Sequence, residues 1–162
     1  MIEVPQGVTV AFENGKMCVK GPKGEVEKCF TMHATISVKG NQVEVQSSNP
    51  AYFGTVNSLI HSMILGVTTG YVRKLKIIYA HFPVTIEVKG KDILIKNFQG
   101  EKMPRKTVVA GALTKVAVQG NIVSISGPDK EAVGQTMANM KSVTKIKNKD
   151  GRIFQDGLYE VN

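Results

Sequence analysis

The chain has 162 residues, room for one ordinary domain or two small ones. With 42% hydrophobic and 21% charged residues it is globular rather than disordered, and no run of about 18 apolar residues offers a transmembrane helix. A formal net charge of +8 points toward a polyanionic partner.

The start, MIEVPQGVTV, lacks a basic stretch followed by an apolar core, so it does not read as a signal peptide and a cytoplasmic protein is expected. Val8, Val10 and Phe12 alternate, then Met17 and Val19, which predicts two strands joined by a turn. Cys18 and Cys29 lie in this strand-like text and form no CxxC pair. In a reducing compartment they are expected to remain thiols, with no metal. ISVKGNQVEV (36–45) predicts a hairpin with Gly40-Asn41 at its tip. Asn49 suits a helix N-cap and Pro50 the first helical position. Val56, Ile60, Met63, Ile64 and Val67 then fall on one helical face. The segment 71–83, YVRKLKIIYAHFP, is expected to complete the first half and lead into the second.

The second half repeats the first. VTVAFENGKMCVKGPKGE (8–25) matches VTIEVKGKDILIKNFQGE (84–101) at five of 18 positions, and ISVKGNQVEV matches VAVQGNIVSI (116–125) at four of ten. AYFGTVNSLIHSM (51–63) aligns with EAVGQTMANMKSV (131–143). In the second helix Asp129 is a candidate cap, and Val133, Met137 and Met140 make the apolar stripe, with Thr136 opposite Val56. These methionines read as core filler. The offset between copies grows from 76 to 80 residues, so copy two carries about four extra residues near KMPRKTVVAGAL. Either this is a longer hairpin loop or an added binding loop. The expectation is an α+β protein built by internal duplication. Its two small domains, 1–79 and 80–162, are each an antiparallel sheet packed with one main helix.

The positive charge is local. Arg73, Lys74 and Lys76 carry +3, and Lys102, Arg105 and Lys106 another +3. Lys141, Lys145, Lys147, Lys149 and Arg152, less Asp150, carry +4, which leaves the remainder of the chain at −2. A merely soluble surface mixes its signs more evenly. Such clusters neutralise phosphates and release counterions, and Arg152 is the first choice for a bidentate phosphate grip. Plainer readings stand beside this one. Lys141 and Lys145 also suit the solvated end of a helix, and Arg73, Lys74 and Lys76 a charged strand face. Phe154 and Tyr159 either stack on bases or pin the tail to its own domain, and Asp156-Gly157 reads as a turn. Loop glycines such as Gly21, Gly24, Gly127 and Gly157 would let backbone approach backbone. The tail is expected to be mobile when free and ordered on RNA.

No catalytic constellation appears. His33, His61 and His81 have no helical metal spacing, and no HExxH, GxSxG, P-loop or GxGxxG occurs. His61 is expected on the solvated side of its helix and His81 to pack locally. No enzyme activity and no cofactor are expected.

The closing KNKDGRIFQDGLY resembles the end motif of the archaeal and eukaryotic branch of the L-six family of large-subunit ribosomal proteins, through Lys147, Asn148, Lys149, Asp150, Arg152, Phe154, Asp156, Gly157 and Tyr159. VPQGVTV, VKGPKGEVEK, LGVTTGYVRKLKIIYAHFPV and VSISGPDKEAVGQTMANM agree in order, so the resemblance covers nearly the whole chain. One departure is Gly151, where the family usually has a bulky apolar residue. The resemblance implies a structural constituent of the cytoplasmic ribosome that binds large-subunit rRNA, chiefly with its second domain and C-terminal extension. It implies a site near the sarcin–ricin region at the stalk base, beside neighbouring ribosomal proteins and where translation factors dock, with no membrane partner. A free-standing RNA-binding regulator on the same scaffold is the alternative. The candidate RNA-binding residues are Lys102, Arg105, Lys106, Lys141, Lys145, Lys147, Asn148, Lys149, Arg152, Phe154 and Tyr159.

Overall fold

The computed structural model describes residues 2–30 and 34–161; His33 lies outside them. The chain divides into two compact units, Met1–Tyr71 with Pro128–Lys130, and Val72–Gly127 with Glu131–Asn162. The first contains β1 (Ile2–Glu3), β2 (Thr9–Glu13), β3 (Lys16–Gly21), β4 (Gly24–Cys29), β5 (Thr35–Lys39), β6 (Gln42–Gln46) and helix α1 (Pro50–Thr68). The second contains β7 (Tyr71–Ile78, from Val72 on), β8 (Thr85–Lys89), β9 (Asp92–Lys96), β10 (Arg105–Val108), β11 (Lys115–Gln119), β12 (Ile122–Gly127), α2 (Lys130–Val143, from Glu131 on) and β13 (Gly157–Val161). The architecture is α+β, with a sheet-and-helix pattern that recurs.

In the first unit the antiparallel strands form two sheets, β2-β3-β4 and β1-β6-β5; in the second they form β10-β9-β8 and β11-β12-β7-β13. The Gly40-Asn41 and Gly120-Asn121 hairpins are both there, closed between Lys39 and Gln42 and between Gln119 and Ile122. Only the first residue of each tip has positive φ, +58° and +57°. That is the type II′ pattern, which wants glycine first and so explains the Gly-Asn order. Each tip asparagine then offers its carbonyl to a further strand. Val4 N–H donates to Asn41 at 2.9 Å, and Ile77 N–H to Asn121 at 2.8 Å.

That pair of bonds identifies β7. It stands in the second unit where β1 stands in the first, alongside β12 as β1 is alongside β6. The segment expected to complete copy one therefore opens copy two, because its partners β12 and β13 both come later in the chain. Among the described residues β13 has no counterpart in the first copy.

The insertion is located by register. Val26 lies opposite Val19, whereas Arg105 lies opposite Ile95, so the offset rises from 76 to 79 between β9 and β10 and reaches 80 at β11. Most of the extra chain thus enters the connection 97–104, within a residue or two of the expected place. Asn97, Gln99 and Gly100 all take positive φ there, and Phe98 between them is buried.

Helix α1 begins as its sequence dictates. Asn49 Oδ1 accepts from Ala51 N–H at 2.9 Å, with Pro50 next. Gly70, at φ +78°, follows its end, where Thr69 N–H donates to Leu65. Val56, Ile60, Met63, Ile64 and Val67 are all buried, packed with Met17, Val19, Val26, Ile36, Val43 and Val45. Each such side chain contributes about 1.5–3 kcal/mol, enough to hold a helix rich in β-branched residues. In α2, Val133 and Met140 are buried and Met137 half-buried. Thr136 is buried with its hydroxyl on Ala132 O at 2.8 Å, while Ala110 N–H donates to it at 2.9 Å.

Gly21 is taken up by internal packing. A Cβ there would lie 2.8 Å from both a methyl and the carbonyl oxygen of Val67. That carbonyl also accepts from Lys23 N–H at 2.9 Å, tying the β3–β4 turn to the end of α1. Gly21→Ala is expected to destabilise the chain by about 1–3 kcal/mol in a denaturant melt; an unchanged midpoint would show that this turn and α1 are not held so closely.

Candidate nucleic-acid interface

All the net charge belongs to one unit. The first holds six basic and six acidic residues; the second holds fifteen basic against seven acidic, the whole +8. Within the second unit, connections far apart in sequence meet at one end.

Arg105 is where they meet. Its Nε donates to Glu101 Oε2 at 2.8 Å and its Nη2 to Glu101 Oε1 at 2.5 Å. Its Nη1 donates to the carbonyls of Val143 at 2.6 Å and Lys145 at 3.3 Å, and the guanidinium lies 4.4 Å from the centre of the buried Phe98 ring. One side chain thus ties the 97–104 connection to the end of α2, where a cation also suits the exposed carbonyls. Hydrogen bonding to Arg105 holds the Glu101 carboxyl below the usual carboxylate range, against the effect of burial, and the charges of Arg105 and then Lys149 add to it. The tail is therefore within electrostatic reach of the same carboxylate. Asn97 Nδ2 donates to Pro83 O at 3.1 Å, which brings in the loop after β7.

The other candidates are mostly exposed. Lys102 lies in the 97–104 connection, and Lys106 on β10 beside a groove lined by Asp92, Asn139 and Val143. Lys141 occupies the last turn of α2, and Lys145 follows it, with its N–H on Ser142 O at 3.2 Å. Lys147, Asn148, Lys149 and Arg152 are exposed, and Asn148 has φ +58°, a left-handed conformation that asparagine tolerates. Lys149 Nζ sits 4.7 Å from the centre of the Phe154 ring. Arg73, by contrast, pairs with Glu160 across β7 and β13 at 3.0 Å, a charged strand face.

The tail carries more internal hydrogen bonding than its sequence suggests. Asp150 starts a compact turn: its Oδ1 accepts from Arg152 N–H at 2.9 Å, and its carbonyl from Phe154 N–H at 3.0 Å. Asp156 and Gly157, read in sequence as a turn, lead instead into β13, which pairs with β7 from Gly157↔Ile78 to Val161↔Lys74. Asp156 is buried, and its Oδ1 accepts from Ala80 N–H at 3.0 Å, while Leu158 is buried beside it. Tyr159 Oη donates to Gln155 O at 3.0 Å, a bond within the tail. Asp156 and Ala80 were missed as organisers because they lie 76 residues apart, and Glu101 because its neighbour Arg105 read as a phosphate ligand.

Among the described residues the histidines form no site. His61 is exposed on α1, and His81 packs edge-on to Phe82 at 6.4 Å. Cys18, Glu25 and Glu27 bring ligand-type atoms within 4.8 Å of one another. But Lys20 pairs with Glu25 at 3.1 Å and Lys16 with Glu27 at 2.8 Å. The Cys18 thiol is pushed up by its hydrogen bond to Glu25 and by burial, away from the thiolate a metal needs. The trio reads as a charged strand face. Among the described residues no helix is long and apolar enough to cross a membrane.

Comparison with known proteins places this geometry. The family model described as Ribosomal protein L6 matches residues 82–157, from the loop before β8 to the start of β13. The chain is 44% identical to large ribosomal subunit protein uL6 of Methanobrevibacter smithii, over 99% of this chain and 93% of that one. It is 45% identical to uL6 of Methanosarcina mazei, over 99% and 94%, and 41% identical to uL6 of Staphylothermus marinus, over 98% and 90%.

Asp156→Ala removes the acceptor for a partly buried N–H and is expected to cost about 1–3 kcal/mol. Amide exchange of 157–161 should speed up while α1 stays protected; unchanged exchange would show that pairing with β7 alone holds β13.

Proposed function

The chain belongs to the ribosomal protein L6 family, and on that premise we propose that it grips large-subunit rRNA with its second unit. It is a structural, non-enzymatic constituent of the large ribosomal subunit in the cytoplasmic ribosome. The observation that carries the proposal is the segregation of charge: a neutral first unit beside a second with fifteen basic and seven acidic residues. Structured RNA is read mainly through backbone, 2′-hydroxyls and shape, and exposed lysines around a rigid rim suit that task.

The grip consists of Lys102, Lys106, Lys141, Lys145, Lys147, Asn148, Lys149 and Arg152. Arg105 holds the rim together from within, while Phe154 and Tyr159 are exposed beside the cations and free to stack on bases. The resemblance in the YAHFP segment and the tail supports a position near the sarcin–ricin region at the stalk base, among neighbouring ribosomal proteins and close to docking translation factors. The neutral first unit suits protein neighbours better than phosphate. The two repeat domains divide near Tyr71 rather than at 79/80, which makes β7 the opening strand of the second.

Replacing Lys147, Lys149 and Arg152 together with alanine should leave the melting temperature within about 2 °C, since all three are exposed. RNA affinity should drop at least tenfold, and the dependence of log K on log salt should become shallower by roughly two to three units. Affinity within twofold of wild type would remove the tail from the interface. Crosslinking with sequencing of the bound RNA tests the wider reading: a map without large-subunit rRNA would favour a free-standing regulator.

A further inference from the structure

We infer that Arg105 is a clasp that positions the RNA-binding lysines rather than a ligand for RNA, so that Glu101, an acid, promotes binding to a polyanion. The inference rests on the second unit being the RNA-binding one.

The guanidinium has little left to offer a phosphate. Both oxygens of Glu101 take its Nε and Nη2, two carbonyls take its Nη1, and Phe98 covers one face. The bidentate carboxylate also offsets its charge. What the clasp does is join segments that are 38 and 40 residues away in sequence. Lys102 follows Glu101 directly, Lys145 supplies one of the clasped carbonyls, and Lys149 acts on the Glu101 carboxylate. Like charges on two untethered loops repel one another, and ordering them on RNA costs entropy at the moment of binding. The clasp meets that cost in the free protein. The first copy differs here: the position matching Arg105 is Val26, buried in the apolar core, and only residues 22–23 separate β3 from β4.

The test uses the full chain, its Glu101→Ala and Arg105→Gln variants, and deproteinised large-subunit rRNA titrated across a salt series. The two substitutions change net charge in opposite directions. Both are expected to weaken binding about tenfold with the salt slope unchanged, and to speed amide exchange of 98–104 and 144–149 in the free protein. Glu101→Ala binding as tightly as wild type, or more tightly, overturns the inference, since that is how an ordinary surface acid behaves near RNA. A slope shallower by roughly one unit in Arg105→Gln also overturns it, by identifying a direct phosphate contact. Circular dichroism checks folding; should Glu101→Ala not fold, Glu101→Gln, which keeps the side chain's shape, carries the same comparison. Wild-type protein that ignores RNA would sink the functional reading and this inference together, whereas wild-type binding with an indifferent Glu101→Ala sinks this inference alone.

Discussion

Like-charge repulsion is the constraint under which the second unit folds. It gathers an excess of eight positive charges, yet it must close around Ile93, Ile95, Phe98, Ile125 and Met140, all of them buried. The solution is division of labour. The lysines stay at the surface, where water and salt screen them. The one arginine that turns inward does so only with a carboxylate, two carbonyls and an aromatic ring around it. An unpaired guanidinium in that place would cost several kcal/mol. Glu101 therefore counts for more than its single charge.

Two copies of one scaffold have met opposite demands. Both keep the hairpin with glycine first at the tip, the tip carbonyl that accepts from an added strand, and the helix with its apolar stripe. They part at the connection after the second long strand. In the first unit that turn is short and Gly21 packs against Val67. In the second it is longer, and its residues face the end of α2 through Arg105.

Local features were readable from the sequence, and non-local ones were not. Asn49-Pro50, the α1 stripe and the Gly-Asn tips declare themselves through spacing and backbone preference within a few residues. So does the duplication, because both copies kept those signals. β7 was misplaced because a strand's text carries no address for its partners, and its counterpart β1 is only two residues long. The basic clusters were visible as composition, but composition does not separate a lysine that faces solvent from an arginine spent on its own fold. Arg105 and Lys106 look alike in sequence; one is locked and the other exposed. The anchorage of the tail was out of reach for the same reason: the buried Asp156 and Leu158 that hold it are unremarkable in a one-dimensional reading.

The pairing of β13 with β7 has a consequence for how the molecule comes into being. Chains are made from the amino end, and β7 needs neighbours that emerge much later, β12 and then β13. The neutral unit has nearly all of its strands and its helix in hand by Tyr71. The cationic unit stays unfinished until β13 has been made. Until β13 emerges, a nascent chain carries the positive residues of its second unit without the rim that would present them.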